Sequence, residues 1–246
     1  MNYHILGDVM QALTIELQQG EEIFAEAGSM LYMDDGIQLD AKMQGGILKG
    51  LARKFLAGES LFMSVFRCNA PKGRLAVAAP ILGKIIPIEL KGNSILAERN
   101  AYLCSIGNVD LSVAFTRRLG AGFFGGEGFI LERISGEGLV FLNAGGNMVE
   151  FNLQPGERLR VDTGCIVSLA ETVSYDIQFV GGFRNALFGG EGIFYATLQG
   201  PGHVVLQTLP FSRLADRMRG AMGGRVDEAK GVGGLGGILG NIISGD

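Results

Sequence analysis

Ile-Glu-Leu-Gln-Gln-Gly-Glu at 15–21, Ile-Glu-Leu-Lys-Gly-Asn at 88–93 and Phe-Asn-Leu-Gln-Pro-Gly-Glu at 151–157 are three versions of one phrase. Leu17, Leu90 and Leu153 align, and eleven residues later stand Gly28, Ala101 and Gly164, with the same offsets of 73 and 63. Ile23, Leu96 and Leu159 share one position between them. Inside the phrase, Leu13, Ile15 and Leu17 alternate with Thr14 and Glu16, as Val149, Phe151 and Leu153 alternate with Glu150 and Asn152, and Ile86, Ile88 and Leu90 repeat the pattern. A period of two puts one face of a strand in a core and the other in water. The glycine-bearing segments that follow have turn chemistry. Three further alternating runs end at Met43, Phe115 and Phe179.

A second element repeats with the first. Phe-Leu-Ala-Gly-Glu-Ser-Leu-Phe at 55–62 resembles Phe-Phe-Gly-Gly-Glu-Gly-Phe-Ile at 123–130 and Leu-Phe-Gly-Gly-Glu-Gly-Ile-Phe at 187–194. Gly138 and Gly202 stand eleven residues after Glu127 and Glu191, and Gly73 fourteen after Glu59. The chain begins and ends midway through a unit, so the two end half-units complement each other. That phase is expected of units closed in a circle rather than of an open solenoid. The resulting expectation is an all-β body, residues 1–212, made of three antiparallel β-sandwich units (about 1–66, 67–134 and 135–212) closed around a pseudo-threefold axis. The strand near Tyr3–Leu6 is expected to pair with, or lie beside, the strand near Val204–Leu209.

Composition narrows the function classes. With 47% hydrophobic and 19% charged residues, the 246-residue chain can bury a sizeable core. Its 40 glycines follow no collagen period, and turns account for much of the excess. A net charge of −4 argues against general nucleic-acid binding. Cys68, Cys104 and Cys165 are scattered among apolar neighbours and read as buried thiols rather than a disulfide or zinc framework. The N-terminus carries no signal-peptide pattern, and no apolar run reaches the length of a membrane span. The reading is a cytoplasmic protein, with a peripheral place at the inner face of the membrane as a further option.

Residues 213–246 differ in kind. Ser212–Met222 reads as a short basic helix with Leu214, Met218 and Met222 as its apolar stripe. In the tail at 231–240, six of ten residues are glycine. At about 1 kcal/mol each relative to alanine, they cost a helix about 6 kcal/mol, so this tail reads as flexible until it meets a partner.

The repeated turn and the Gly-Gly-Glu-Gly motifs at 125–128 and 189–192 resemble the altered-inheritance-of-mitochondria protein 24 family over about 1–212. The resemblance implies a fold like the tryptophan RNA-binding attenuation protein, with β-sandwich units about an axis. It also implies an association of mitochondrial members with inner-membrane organisation. It carries no catalytic residue to a position here.

The candidate residues lie in the repeated loops. Arg53, Lys54 and Phe55, then Arg117, Arg118, Phe123 and Phe124, then Arg184 and Phe188 each combine cations with bulky apolar groups. Threefold symmetry would gather them on one end, suited to an anionic membrane surface or a protein partner. Packing beneath the loops or between subunits is the plainer alternative. Glu59, Glu127 and Glu191 read as turn-capping groups; three converging carboxylates holding a hard cation are the sharper alternative, and no Asp or His repeats beside them to complete a metal shell. Gly120–Gly125 lacks the Lys-Ser or Lys-Thr of a phosphate loop. His4 and His203, near the chain ends, would be neighbours in a closed ring, yet no Ser/His/Asp or Cys/His set accompanies them. The expectation is therefore a non-enzymatic, cofactor-free β-scaffold acting as a homo-oligomer, a trimer or a multiple of one. It would act on a protein partner or membrane surface. Small-ligand or RNA binding between units is the alternative.

Overall fold

The computed structural model describes residues 2–44, 61–117, 129–180, 193–215, 217–218 and 220–221. The chain divides into two units, Met1–Pro210 and Phe211–Asp246. In the second, residues 211–215, 217–218 and 220–221 are helical.

The first unit is built of β-strands. Its first third holds β1 (Asn2–Leu6), β2 (Ala12–Gln18), β3 (Glu22–Glu26), β4 (Met30–Met33), β5 (Ile37–Gln44), β6 (Leu61–Cys68) and β7 (Lys72–Ala78). Three long strands follow: β8 (Gly83–Glu98), β9 (Tyr102–Arg117) and β10 (Phe129–Gly145). Then come β11 (Met148–Leu153), β12 (Arg158–Asp162), β13 (Ile166–Ala170), β14 (Ser174–Val180), β15 (Ile193–Gln199) and β16 (Gly202–Gln207). They form three sheets, ordered β1-β2-β7-β4, β11-β16-β13-β8-β10-β9-β3-β6-β5 and β12-β15-β14.

The alternation does its work as read. Leu13, Ile15 and Leu17 of β2 are fully buried, while Thr14 is half-buried and Glu16 exposed. Each such side chain contributes roughly 1.5–3 kcal/mol relative to exposure. The buried residues gather in three apolar clusters. One centres on Leu13, Ile15, Phe66 and Phe141, a second on Phe129, Leu169 and Leu198, and a third on Leu90, Ile134 and Val140.

Two of the turns form as expected. In Gln18–Glu21, Gly20 has φ 85°, the Glu21 N–H donates to the Gln18 carbonyl at 3.1 Å, and the Glu21 carboxylate accepts from the Gln18 N–H at 2.7 Å. Gln154–Glu157 repeats this, with Gly156 at φ 81° and the Glu157 carboxylate accepting from the Gln154 N–H at 2.8 Å. Lys91-Gly92-Asn93 departs from expectation. Here β8 runs straight through, bent by Gly92 at φ 79°, because β10 pairs with it on both sides of the bend and shifts register between Gly136 and Glu137. A continuous ladder satisfies backbone groups that a reversing turn would leave to water.

Of the two placements expected for the chain ends, direct pairing does not occur. β1 pairs with β2 from Asn2↔Glu16 to Leu6↔Ala12, and β16 is enclosed by β11 and β13. The two end strands therefore lie in different sheets and do not pair. The reason is proximity along the chain: β1 and β2 are joined by five residues, and neighbouring antiparallel strands pair most readily.

Candidate functional site

The predicted interaction loops fall almost wholly outside the described residues. Arg53, Lys54, Phe55, Arg118, Phe123, Phe124, Arg184 and Phe188 lie there, as do Glu59, Glu127 and Glu191. Arg117 ends β9 opposite Phe129. The strands that carry these segments are described. Their ladders end at Gln44↔Leu61, Arg117↔Phe129 and Val180↔Ile193, so each segment joins the two strands of one antiparallel pair.

Inside the body, β3, β8, β9 and β10 bring polar groups into the interior. Glu98 and Glu132 stand on paired strands and are 5% and 1% exposed. The Glu98 carboxyl caps the 3₁₀ turn Arg99–Ala101, accepting from the Asn100 N–H at 3.0 Å and from Asn100 Nδ2 at 3.1 Å. Burial pushes its pKa up to about 8, the nearby Glu132 raises it further, and the Asn100 bonds and Arg99 pull the other way. Burial likewise pushes Glu26 up to about 7 against the opposing pull of Arg99. The Tyr102 hydroxyl donates to the Phe24 carbonyl at 3.0 Å and lies 2.8 Å from Ser105 Oγ. Its pKa is held well above the usual phenol value by burial. Glu98 and Glu26 can hold a proton near neutral pH. Buried Glu98 and Glu132 are not among the residues singled out from the sequence; their signal there is an acid closing an apolar run, in Ile-Leu-Ala-Glu at 95–98 and Phe-Ile-Leu-Glu at 129–132.

Asp162 caps the turn Thr163–Cys165 in the same way, its Oδ1 accepting from the Gly164 N–H at 2.9 Å. Among the described residues, no group of three or more His, Cys, Asp or Glu side chains has a metal-holding arrangement. Cys68 and Cys104 are buried and Cys165 half-buried, all as free thiols, and burial raises the Cys104 thiol pKa. His4 faces Thr14 across β1 and β2, whereas His203 on β16 is 2.9 Å from Glu150. The two histidines have separate partners in separate sheets.

The outer face of the sheet β12-β15-β14 carries a shallow concavity of about 320 Å³ lined by Arg158, Arg160, Asp176, Gln178, Thr197 and Gln199, among others. Arg158 Nε donates to Gln199 Oε1 at 3.1 Å, Tyr195 Oη donates to Gln178 Oε1 at 2.7 Å, and Arg160 sits 5.8 Å from the centre of the Tyr195 ring. These groups largely satisfy one another on a solvated face.

The surface also exposes large apolar groups. Met30, Leu31 and Tyr32 of the end strand β4 are 42%, 58% and 42% exposed, and Val9 and Met10, in the connection before β2, are 66% and 68% exposed. No helix among the described residues is long and apolar enough to cross a membrane.

The chain resembles known proteins along most of its length. An uncharacterized protein of Streptococcus pyogenes serotype M6 is 26% identical over 212 residues, covering 83% of this chain and 84% of that protein. A crystal structure of another Streptococcus pyogenes protein superposes with a TM-score of 0.71 at 24% identity, covering 89% of this chain and 98% of that one, and so shares the fold. Residues 3–209, which include the sheets, the buried carboxyls and the exposed β4 edge, match the family described as mitochondrial biogenesis AIM24, and the chain belongs to that family.

Proposed function

We propose that this protein is a non-enzymatic β-scaffold that works as a homo-oligomer, a trimer or a multiple of one, through contact with a partner or a membrane surface. The observation that carries the reading is the apolar edge of β4, with Met30, Leu31 and Tyr32 exposed on a strand that ends its sheet. A strand edge with no partner among the described residues, beside exposed apolar side chains, is a surface made for contact.

The body is read as three related sandwich units set about an axis, in the manner of the tryptophan RNA-binding attenuation protein. Strand registers support this. β3 pairs with β9 with Ile23 opposite Ile106, and β8 pairs with β13 with Leu96 opposite Leu169. The sequence offsets of 73 and 63 carry the first pair onto the second.

The loops at the ends of the three strand pairs supply the membrane-facing chemistry in this reading, with the protein in the cytoplasm at the inner face. Five cations at about 1 kcal/mol each give a usable, salt-sensitive affinity for anionic lipid. Sedimentation with anionic liposomes tests it, comparing the wild type with a charge-reversed Arg53/Arg117/Arg184 variant and a chain truncated at Gly231. The expected result is binding by the wild type that falls with salt and is lost on charge reversal. If none binds, or all bind equally, the loops serve packing and the membrane reading is withdrawn.

A further inference from the structure

The register of the two junctions described above prescribes a third. β8 and β13 pair through Ala97↔Ser168, Leu96↔Leu169 and Ile95↔Ala170. The offset of 63 carries the β8 residues to Arg160, Leu159 and Arg158 of β12, and the two offsets together, 136 residues taken backwards, return the β13 residues to Tyr32 and Met33 of β4 and to Asp34 just after it. Yet β12 and β4 each end a sheet, and among the described residues β12 pairs with β15 alone and β4 with β7 alone. Among the described residues, two strands whose counterparts are paired on both sides thus have a partner on one side only.

We propose that β4 of one copy pairs antiparallel with β12 of a second copy, Tyr32 opposite Arg160, Met33 opposite Leu159 and Asp34 opposite Arg158. The proposal rests on reading the chain as three related units. It makes the junction between copies a repetition of the junctions inside the chain.

The side chains fit this register. Met33 and Leu159 are half-buried, at the positions taken in the formed junctions by Ile23 with Ile106 and Leu96 with Leu169, all of them buried. A neighbouring chain would complete that burial. Asp34 and Arg158 would share one rung, each already held in its own chain, Asp34 by Arg74 and Arg158 by Gln199, and Tyr32 would meet the Arg160 guanidinium, a pairing favourable across strands. The bulge in β4 is no obstacle. β4 shifts register on β7 between Met30 and Tyr32, and β13 shifts on β16 at the aligned place, between Ile166 and Ser168, while still pairing with β8 by its other edge. The contact joins two different edges, so each added copy presents a fresh β4 or β12, and assembly proceeds head to tail until the edges meet in a ring.

The test is a directed cross-link in the full-length chain. Tyr32→Cys and Arg160→Cys, both at exposed positions, are placed in separate chains bearing tags of different mass, coexpressed and oxidised. The expected result is a disulfide-linked species containing one chain of each kind, absent from either variant alone and from the wild type with its native thiols. A chain carrying both substitutions is then expected to give a ladder of linked multimers. An intrachain disulfide without multimers would show that β4 and β12 close within one molecule and would overturn the proposal. So would links between two Tyr32→Cys chains, or no link at all while circular dichroism shows native folds. Persistence of an oligomer without the cross-link would leave the scaffold reading standing and discard only this junction. Loss of liposome binding with the cross-link intact would do the reverse.

Discussion

Glu98 ends β8 inside the protein, with its pKa pushed from the ordinary 4.5 to about 8, chiefly by burial. Between those two values the folded chain holds a proton that the unfolded chain releases. Stability contributed by this group is therefore full below about 4.5 and is lost as pH rises through about 8. Glu26, pushed up to about 7, acts in the same direction over a narrower window. Melting temperature followed from pH 5 to pH 9 is expected to fall in the wild type and to fall less in Glu98→Gln, which stays neutral at every pH. Parallel curves for the two would mean that Glu98 ionises freely in the folded state. The residue acts through its neighbours: its oxygens hold Asn100, and Glu132 on the adjacent strand opposes a second negative charge.

Strand crossings show why glycine recurs where it does. A methyl group on Gly138 would lie 2.1 Å from the Ile106 carbonyl oxygen, one on Gly202 2.6 Å from Val173 Cγ2, and one on Gly73 2.9 Å from Ile37 Cγ1. These glycines are required by close approach of another strand or loop. Gly20 is a different case, since a methyl group there meets nothing within 4 Å and only the φ of +85° is unfavourable. Gly138→Ala is expected to cost about 3 kcal/mol, because β9 and β10 must separate to admit the atom. Gly20→Ala should cost only roughly 1–2 kcal/mol, the price of a left-handed backbone for an L-residue. Urea denaturation of the two variants checks the order. Equal losses would refute the assignment of Gly138 to strand contact.

Across the β-body, the clusters are shared between distant parts of the chain. The apolar cluster beneath β2 and β7 includes Ile85, Leu103, Ile106 and Phe141 from the three long strands. Tyr3 of β1 packs edge-on against Phe141, with ring centres 5.0 Å apart. The first seven strands accordingly lack part of their core when cut away. A fragment of residues 1–80 is expected to remain unfolded, and Phe141→Ala to destabilise the whole body by about 3–5 kcal/mol. Two spectroscopic probes should follow one denaturant transition. A folded fragment, or two separate transitions in the intact chain, would show that the parts are independent.

Local physics made much of this legible in advance. Alternation at Leu13, Ile15 and Leu17 decided a strand and its buried face, because a period of two leaves a side chain no other choice. Gln-Gln-Gly-Glu and Gln-Pro-Gly-Glu decided two turns, because a glycine at positive φ and a carboxylate three residues from a free N–H are complete within four residues. The spacing of the repeats marked Gly73, Gly138 and Gly202 as special without giving the cause. What the tertiary structure alone decided depends on partners far away in the chain. Lys91-Gly92-Asn93 runs on as a strand because β10 is there to pair with it on both sides. β1 joins β2 rather than β16 because a hairpin partner is nearest and both edges of β16 are taken. Glu98 and Glu132 are buried because neighbouring strands close over them, although an acid at the end of an apolar run suits an exposed strand end equally well. The edges of β4 and β12 that have no partner among the described residues belong to the same class, since a free edge is a property of what has packed around a strand.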